Sequence, residues 1–599
     1  MSEVRKFRNV NGANTEKTPQ SVEMLLAQMT LAEKIGQMTQ PEKNSVPPED
    51  VAQYALGSVL SGGGGNPSLN NPQNWSEMTQ AFIDAGHESR LGIPVIYGAD
   101  CVHGHNNVYG ATVFPHNIGL GATRDADLVE RIGAATAREM IATNVFWNFS
   151  PCLAVPQDYR WGRTFEGFGG DTALVSELGA AYVRGLQGAG VAACIKHYVG
   201  DGGAEWDTHR SVSWATFWED NGGAWKIDHG DVNVDEPTFR AVHLAPYLAA
   251  LAEGALTVMA SFSSWRGLKM HGHRYLLTDV LKNELGFGGF IVTDWMGINQ
   301  LSPDWYTCVV QSINAGVDMV MVPFDYKSFI AAVTEAVTRG DIRMSRIDDA
   351  VRRILTVKQM LGLFETDLGT PEMVSSVGGA DHRSLAREAV RKSAVLLKNE
   401  LATLPITAET ETILLAGAAA DDMGMQCGGW TLNWQGEKGA TVPGTTLRMA
   451  LTARLADKMI LYDATGTFSV QARLGIVVVG EQPYAEGCGD VDDLTLSAAD
   501  LEVIQRVRAQ CDKLALIIYS GRPLIINDAL PLCDAIVAAW LPGSEGAGLA
   551  DVLSGDHPFT GKLPHDWIAS MDQLPQAARK DAGLVPLFPY GHGLTTGAL

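Results

Sequence analysis

GFIVTDW, residues 289–295, is the stretch on which the fold turns. Phe290, Ile291 and Val292 form a short run without polar alternation, preceded by a Gly-bearing turn and ended by Thr293 and Asp294. A half-buried strand alternates; a run apolar throughout reads as a strand covered on both faces. The same pattern recurs outward from it, in GSVL at 57–60, IPVIYGAD at 93–100, VAACIKHY at 191–198, LTVMASF at 256–262 and VDMVMVP at 317–323. Amphipathic stretches lie around and between these runs, such as VEMLLAQMTLAEKIGQM at 22–38 and FIAAVTEAVTRG at 329–340. Strand-like runs alternating with helices imply a parallel sheet. The extent of the pattern predicts α/β architecture, with a (β/α)8-type barrel over residues 1–370.

RIDDAVRRILTVKQMLGLFE at 346–365 reads as a closing helix, and the polar, Gly/Pro-bearing DLGTPEMVSSVGGADH follows it. Residues 371–390 are therefore expected to be a linker. Beyond it come ILLAG at 413–417, IVVVGE at 476–481, LALIIYSG at 514–521 and AIVAAWLPG at 535–543, separated by helical segments such as LEVIQRVRAQ. Residues 391–599 are thus expected to be a second α/β sheet domain, a sandwich, with no room for a third.

The chain has 599 residues, 46% apolar and 19% charged, with a net charge of −23. Such a field disfavours nucleic acid and anionic membranes and is compatible with neutral substrates such as sugars. The N-terminus shows no apolar signal region, and no run approaches the length of a membrane span. The 8 cysteines are scattered without a C-x-x-C, which predicts buried thiols and a cytoplasmic protein rather than a disulfide framework or zinc site. There is no phosphate loop, dinucleotide fingerprint or H-E-x-x-H, so no cofactor and no metal is expected.

Three polar groups stand at the C-terminal ends of barrel runs: Asp100 after PVIYGA, Lys196–His197 after VAACI, and Asp294 after FIV. One Asp at a strand end is usually a helix cap. Three such groups on the face that carries barrel active sites point to a polyhydroxylated substrate, whose hydroxyls donate to carboxylates and accept from cations. Hydrolysis of a glycoside also needs two carboxyl groups flanking the bond. The residue types do not say which two.

VLKNELGFGGFIVTDWMG at 280–297 resembles the signature of glycoside hydrolase family 3, element by element. The resemblance implies that Asp294 is the nucleophile. GADCVHGHNNVYGATVFPHNIGLGAT at 98–123, DYRWGRTFEGFGGD at 158–171 and KHYVGDGG at 196–203 are similar to the family's substrate loops. They imply sugar contacts from Asp100, Arg163, Lys196 and His197, with Met259, Phe262 and Trp295 as further contacts. GRPLII, LPGSEGAGLADVLSG and LFPYGHGL look like the family's second domain, and their order resembles the two-domain glucan-exo-glucohydrolase branch. In that branch the acid/base is a Glu of the second domain. VGEQPYAEGCGD at 479–490 matches the stretch that carries it, giving Glu486, with Glu481 as competitor. GGWTLNWQG at 428–436 resembles the branch's paired tryptophans, implying that Trp430 and Trp434 sandwich the sugar at the +1 subsite.

The implied function is that of a retaining β-glucosidase or exo-β-glucan hydrolase acting on short β-linked oligosaccharides or aryl glucosides, through an interdomain pocket. Retention calls for carboxyl groups about 5–5.5 Å apart. The acid must keep its proton, by partial burial or through a negative neighbour. Two places depart from the family's pattern. Phe262 stands where a Tyr is frequent. Residues 204–228 form an insertion rich in aromatics (Trp206, Trp214, Phe217, Trp218, Trp225), which suggests a domain contact or a homodimer in preference to a lid over the substrate entrance. KHYVGDGGAEWDTH also has the spacing of the family's N-acetylglucosaminidase branch, which would make Asp207 and His209 the acid/base. A β-xylosidase and an inactive sugar-binding protein are the other readings.

Overall fold

The computed structural model describes residues 21–209, 225–365 and 370–596. Six parallel strands form one sheet in the order Phe290–Val292, Thr257–Ala260, Ala192–Tyr198, Trp147–Asn148, Ile96–Ala99, Ser58–Ser61. Thr39–Gln40 pairs in parallel with Val320–Met321. Parallel bridges Glu42–Leu60 and Val292–Met319 join this pair to both edges of the six. The ring so closed is a barrel of eight parallel strands. Its strands are buried along their length, as the continuous apolar runs require.

Polar side chains cap many of the intervening helices. Asp125, Asp171, Asp304 and Asp325 each accept a backbone N–H of the first turn. The stretch 22–38 is two helices, Val22–Gln28 and Leu31–Gln37. Thr30 divides them by forming a capping box with Glu33.

Residues 371–390 hold the helix Pro371–Ser375 and most of the helix Ala380–Ser393. The second helix is tied to both halves. Its Glu388 and Lys392 pair with Arg131 and Asp125 of the barrel; its Arg383 and Arg387 pair with Glu545 and Asp551 beyond it. The second sheet has six strands in the order Val395–Asn399, Ala535–Trp540, Cys511–Tyr519, Ala472–Gly480, Thr412–Ala416, Met459–Asp463. All neighbours are parallel except the first pair. Successive side chains point to opposite faces. Ile476 and Val478 pack with Leu447, Leu451 and Val552 on one face. Val477 and Val479 pack with Ile504 and Val507, and with Ile118 and Phe165 of the barrel half, on the other. The barrel thus covers part of one face of the second sheet, which brings that sheet's loops over the C-terminal ends of the barrel strands. Among the described residues, no helix is long and apolar enough to cross a membrane.

Candidate active site

A cavity of about 320 Å³ opens where the two halves meet; Asp294, Glu486 and the nine residues expected to contact the sugar all line it. Asp294 follows the strand Phe290–Val292. Its backbone N–H donates to His271 Nε2 at 3.1 Å, and its Oδ1 accepts the Trp295 N–H at 2.7 Å. Oδ2 has no hydrogen-bond partner among the described residues. One oxygen is therefore anchored, and the other is left for chemistry. Burial, against the cations Arg163 and Lys196, pushes the Asp294 carboxyl up to about 6.

Lys196 and His197 end the strand Ala192–Tyr198. Lys196 Nζ lies 2.9 Å from Asp100 Oδ1. Burial works against the ammonium charge, but the Asp100 and Glu166 carboxylates together outweigh it and hold Lys196 above its usual range. His197 Nδ1 lies 2.8 Å from Asp201 Oδ2, and its Nε2 is 3.1 Å from Arg163 Nη2. An arginine can only donate, so Nε2 accepts and Nδ1 carries the proton. Burial and the nearby Arg163 and Lys196 keep the ring neutral. Arg163 is buried and forks onto Glu166 with bonds of 2.9 and 3.0 Å. Glu166 also accepts the Trp430 indole N–H at 3.2 Å.

The second half supplies Glu486, on the 3₁₀ turn Glu486–Gly489. Its Oε1 lies 3.3 Å from Arg163 Nη1. Burial, reinforced by the charges of Asp228 and Asp294 and opposed by Arg163, pushes its carboxyl up to about 8. Glu486 (φ 55°) and Trp430 (φ 58°) both sit in the left-handed region, a cost of about 1–2 kcal/mol each that tends to collect at functional sites. The approach of the two halves is tight: a Cβ on Gly162 would fall 1.9 Å from the Glu486 carbonyl oxygen. Glu481 is used otherwise. It accepts from Arg522, Tyr484 and the Gly521 N–H, each at 2.9 Å, and does not line the cavity. Met259, Phe262, Trp295 and Trp434 complete the wall, with Phe262 stacked on His229 at 4.0 Å.

Of the insertion, Trp214, Phe217 and Trp218 lie outside the described residues. Trp206 lies under the Arg160 guanidinium at 4.3 Å. Trp225 is buried against the second half, where a Cβ on Gly487 would fall 2.3 Å from its ring. It lines the cavity, as does His229. The alternative pair is elsewhere: Asp207 is exposed and bound to Lys226, and His209 binds the Asp228 carbonyl. Neither lines the cavity. Sequence reasoning named Trp225 only as part of the insertion and missed His229, Glu42, Phe324 and the glycine run Gly62–Gly65, all of which line the cavity. His271, which fixes the Asp294 backbone, was missed as well. The run of four glycines was the one overt signal.

Two groups have ligand atoms within 4.8 Å of one another, Cys152–His197–Asp201 and Asp228–His229–Glu486. Burial keeps the Cys152 thiol protonated, and the Arg163 guanidinium beside Glu486 opposes a cation there. What the arrangement offers is one anchored carboxylate with a free oxygen, one carboxyl that holds its proton, and a ring of cations and carboxylates between them.

The profile described as glycosyl hydrolase family 3 N terminal domain matches residues 30–357, and the family's C-terminal domain matches 394–596. The chain is 32% identical to a lysosomal beta glucosidase of Dictyostelium discoideum, over 98% of this chain and 77% of that one. It is 29% identical to a periplasmic beta-glucosidase of Salmonella typhimurium, over 95% and 79%. Among solved structures, the exo-1,3/1,4-beta-glucanase of a Pseudoalteromonas species is 41% identical and superposes with a TM-score of 0.88, over 96% of this chain and 73% of that one. The chain belongs to glycosyl hydrolase family 3 and is a glycoside hydrolase.

Proposed function

We propose that this enzyme is a retaining β-glucosidase with exo-β-glucan hydrolase activity, releasing glucose from the non-reducing ends of short β-glucosides. The observation that carries this reading is the pairing, in one cavity, of the free Asp294 Oδ2 with a Glu486 carboxyl raised to about 8. Asp294 attacks the anomeric carbon and the glycosidic C–O bond breaks, while Glu486 gives its proton to the leaving oxygen. Glu486, now a carboxylate, takes a proton from water, and the hydroxide portion displaces Asp294 from the sugar. Asp100, Lys196, Arg163 and His197 bind the sugar hydroxyls, and Trp430 with Trp434 holds the leaving group. The activities that the relatives' names carry support a hexose β-glucoside as substrate.

A panel of aryl β-glucoside, β-xyloside and β-N-acetylglucosaminide, with cellobiose and laminaribiose, tests the reading. Glucosides are turned over fastest, and Asp294→Asn abolishes turnover. Preference for the N-acetylglucosaminide, or full activity in Asp294→Asn, refutes it. A homodimer through residues 204–228 is tested by size-exclusion chromatography of a deletion of 206–224. The cytoplasmic location rests on cysteines that form no disulfide among the described residues, whereas the relatives' names speak of a lysosome and a periplasm. Fractionation of the native cells decides between these compartments.

A further inference from the structure

The chain that returns from the insertion, Trp225 to His229, is held by the same turn that bears Glu486. Asp490 Oδ2 accepts the backbone N–H groups of Lys226, Ile227 and Asp228 at 3.0, 2.9 and 2.9 Å. Its Oδ1 accepts the Gly162 N–H at 2.8 Å. One carboxylate, four residues past Glu486, thus pins two barrel loops at once. One bears Arg163; the other bears Asp228. Asp490 ends the motif that pointed to Glu486.

Asp228 is buried, at 3% exposure. Its Oδ1 accepts the Trp161 indole N–H at 2.9 Å. Its Oδ2 has no hydrogen-bond partner among the described residues. A carboxylate oxygen of Asp228, a ring nitrogen of His229 and a carboxylate oxygen of Glu486 all lie within 4.8 Å of one another. The groups facing Glu486 are Arg163 and Glu166 on one barrel loop, Asp294 at its strand end, and Asp228 with a neutral His229 on the other loop, with Cys488 and Asp490 on its own turn. Arg163 favours the ionised form of Glu486. Two carboxyl groups this close and largely buried resist ionising together.

We propose that Asp228 is a positioning residue for the hydrolysis, a fixed carboxylate that faces Glu486 from the barrel side and keeps its proton in place until the leaving oxygen takes it. The proposal rests on the reading of Glu486 as acid/base. The same Asp228 carboxylate bears on the second step as well. Once Asp294 is esterified by the sugar it has lost its charge, and it no longer opposes ionisation of Glu486. Asp228 is not esterified; burial raises its own carboxyl, but Arg163 and the bond from the Trp161 N–H work against that, so a charge there outlasts the one on Asp294. It holds Glu486 basic enough to take a proton from water, where Arg163 alone would leave it a weak base.

The test is the pH dependence of kcat/KM for Asp228→Asn on two substrates. Phenyl β-glucoside needs acid assistance; 2,4-dinitrophenyl β-glucoside does not. Removing the negative neighbour makes the Glu486 proton easier to lose, so the basic limb on the phenyl substrate moves to lower pH, by about 1–2 units, with KM little changed. The dinitrophenyl substrate keeps its kcat/KM within about twofold, since the bond breaks without the proton. Asp228→Ala shows the same displacement, and added formate, a small carboxylate in the space left behind, reverses it. An unmoved basic limb, or an equal loss on both substrates at every pH, overturns the proposal. Failure of the underlying reading looks different: Glu486→Ala would then keep full activity on a disaccharide and gain nothing from azide. If Glu486→Ala behaves as an acid/base variant while Asp228→Asn leaves the limb in place, Asp228 alone loses its role.

Discussion

Arg163→Met probes stability and chemistry together. Arg163 and Glu166 are 3% and 2% exposed and joined by two bonds of 2.9 and 3.0 Å. Methionine fills much of the same volume but leaves Glu166 as a buried carboxylate with one donor, the Trp430 indole. Breaking a buried pair on one side costs about 3–5 kcal/mol, because the remaining charge is uncompensated. Glu166→Gln in the same chain removes that charge, and the double variant should recover about 2 kcal/mol or more of the loss. Arg163 also pulls both reacting carboxyls down, Asp294 and Glu486 alike. Without it both rise, by about 1–3 units for an opposite charge at this range. The acidic and basic limbs of kcat/KM therefore both move to higher pH in Arg163→Met. Denaturant unfolding of the two single variants and the double, followed by Trp fluorescence, gives the first quantity; aryl glucoside kinetics gives the second. A loss below about 1 kcal/mol in Arg163→Met, or a double variant no more stable than the sum of the singles, would refute the argument from burial. An acidic limb that stays in place would refute the electrostatic part.

In the intact enzyme, Asp294 must be ionised and Glu486 protonated, so activity falls as pH drops below about 6 and as it rises above about 8. The bell for kcat/KM peaks near pH 7 and has fallen to about a tenth at pH 5 and at pH 9, a width that a buffer series on phenyl β-glucoside measures. Trp434→Ala strips an aromatic face from the cavity wall and should raise KM for cellobiose about tenfold, equivalent to about 1.4 kcal/mol of lost contact. The same variant leaves kcat on 2,4-dinitrophenyl β-glucoside within about twofold, because the sugar being transferred lies elsewhere.

The barrel was legible wherever its strands are apolar throughout. Two strands escaped, Thr39–Gln40 and Trp147–Asn148, and both put polar side chains into the buried ring. Gln40 donates to Ser58 Oγ at 2.8 Å, and Asn148 donates to the Cys101 carbonyl at 2.9 Å. A polar group satisfied by a distant partner is stable in a core, yet locally it reads as the end of a run. Met459–Asp463 escaped for another reason: as an edge strand, half exposed, it carries no continuous apolar signal. Residues 22–38 read as one amphipathic stretch because the stripe continues across Thr30, whose capping box divides it.

The site divides along the same line. Asp100, Lys196, His197 and Asp294 announce themselves because each stands at the end of an apolar run, a position that means the mouth of a barrel whatever the chemistry. Glu481 and Glu486 are five residues apart, and local sequence does not separate them. The fold does. The strand Ala472–Gly480 delivers Glu481 to the Arg522 guanidinium, while the turn beyond carries Glu486 over to Arg163. Trp225, Asp228 and His229 carry no periodicity, and their meaning arises only once Asp490 accepts the backbone N–H groups of Lys226, Ile227 and Asp228 and so ties this stretch to the turn that bears Glu486. The charges that act on the Glu486 proton, Asp228 and Asp294 holding it and Arg163 opposing them, all come from the barrel, whereas the carboxyl itself comes from the second half. A single change at the seam, such as a side chain at Gly162, would part the two halves by ångströms and remove the electrostatic environment of Glu486 without touching either reacting carboxyl. Such a variant should lose the acid-dependent step first, so its rate on phenyl β-glucoside would fall further than its rate on the dinitrophenyl substrate.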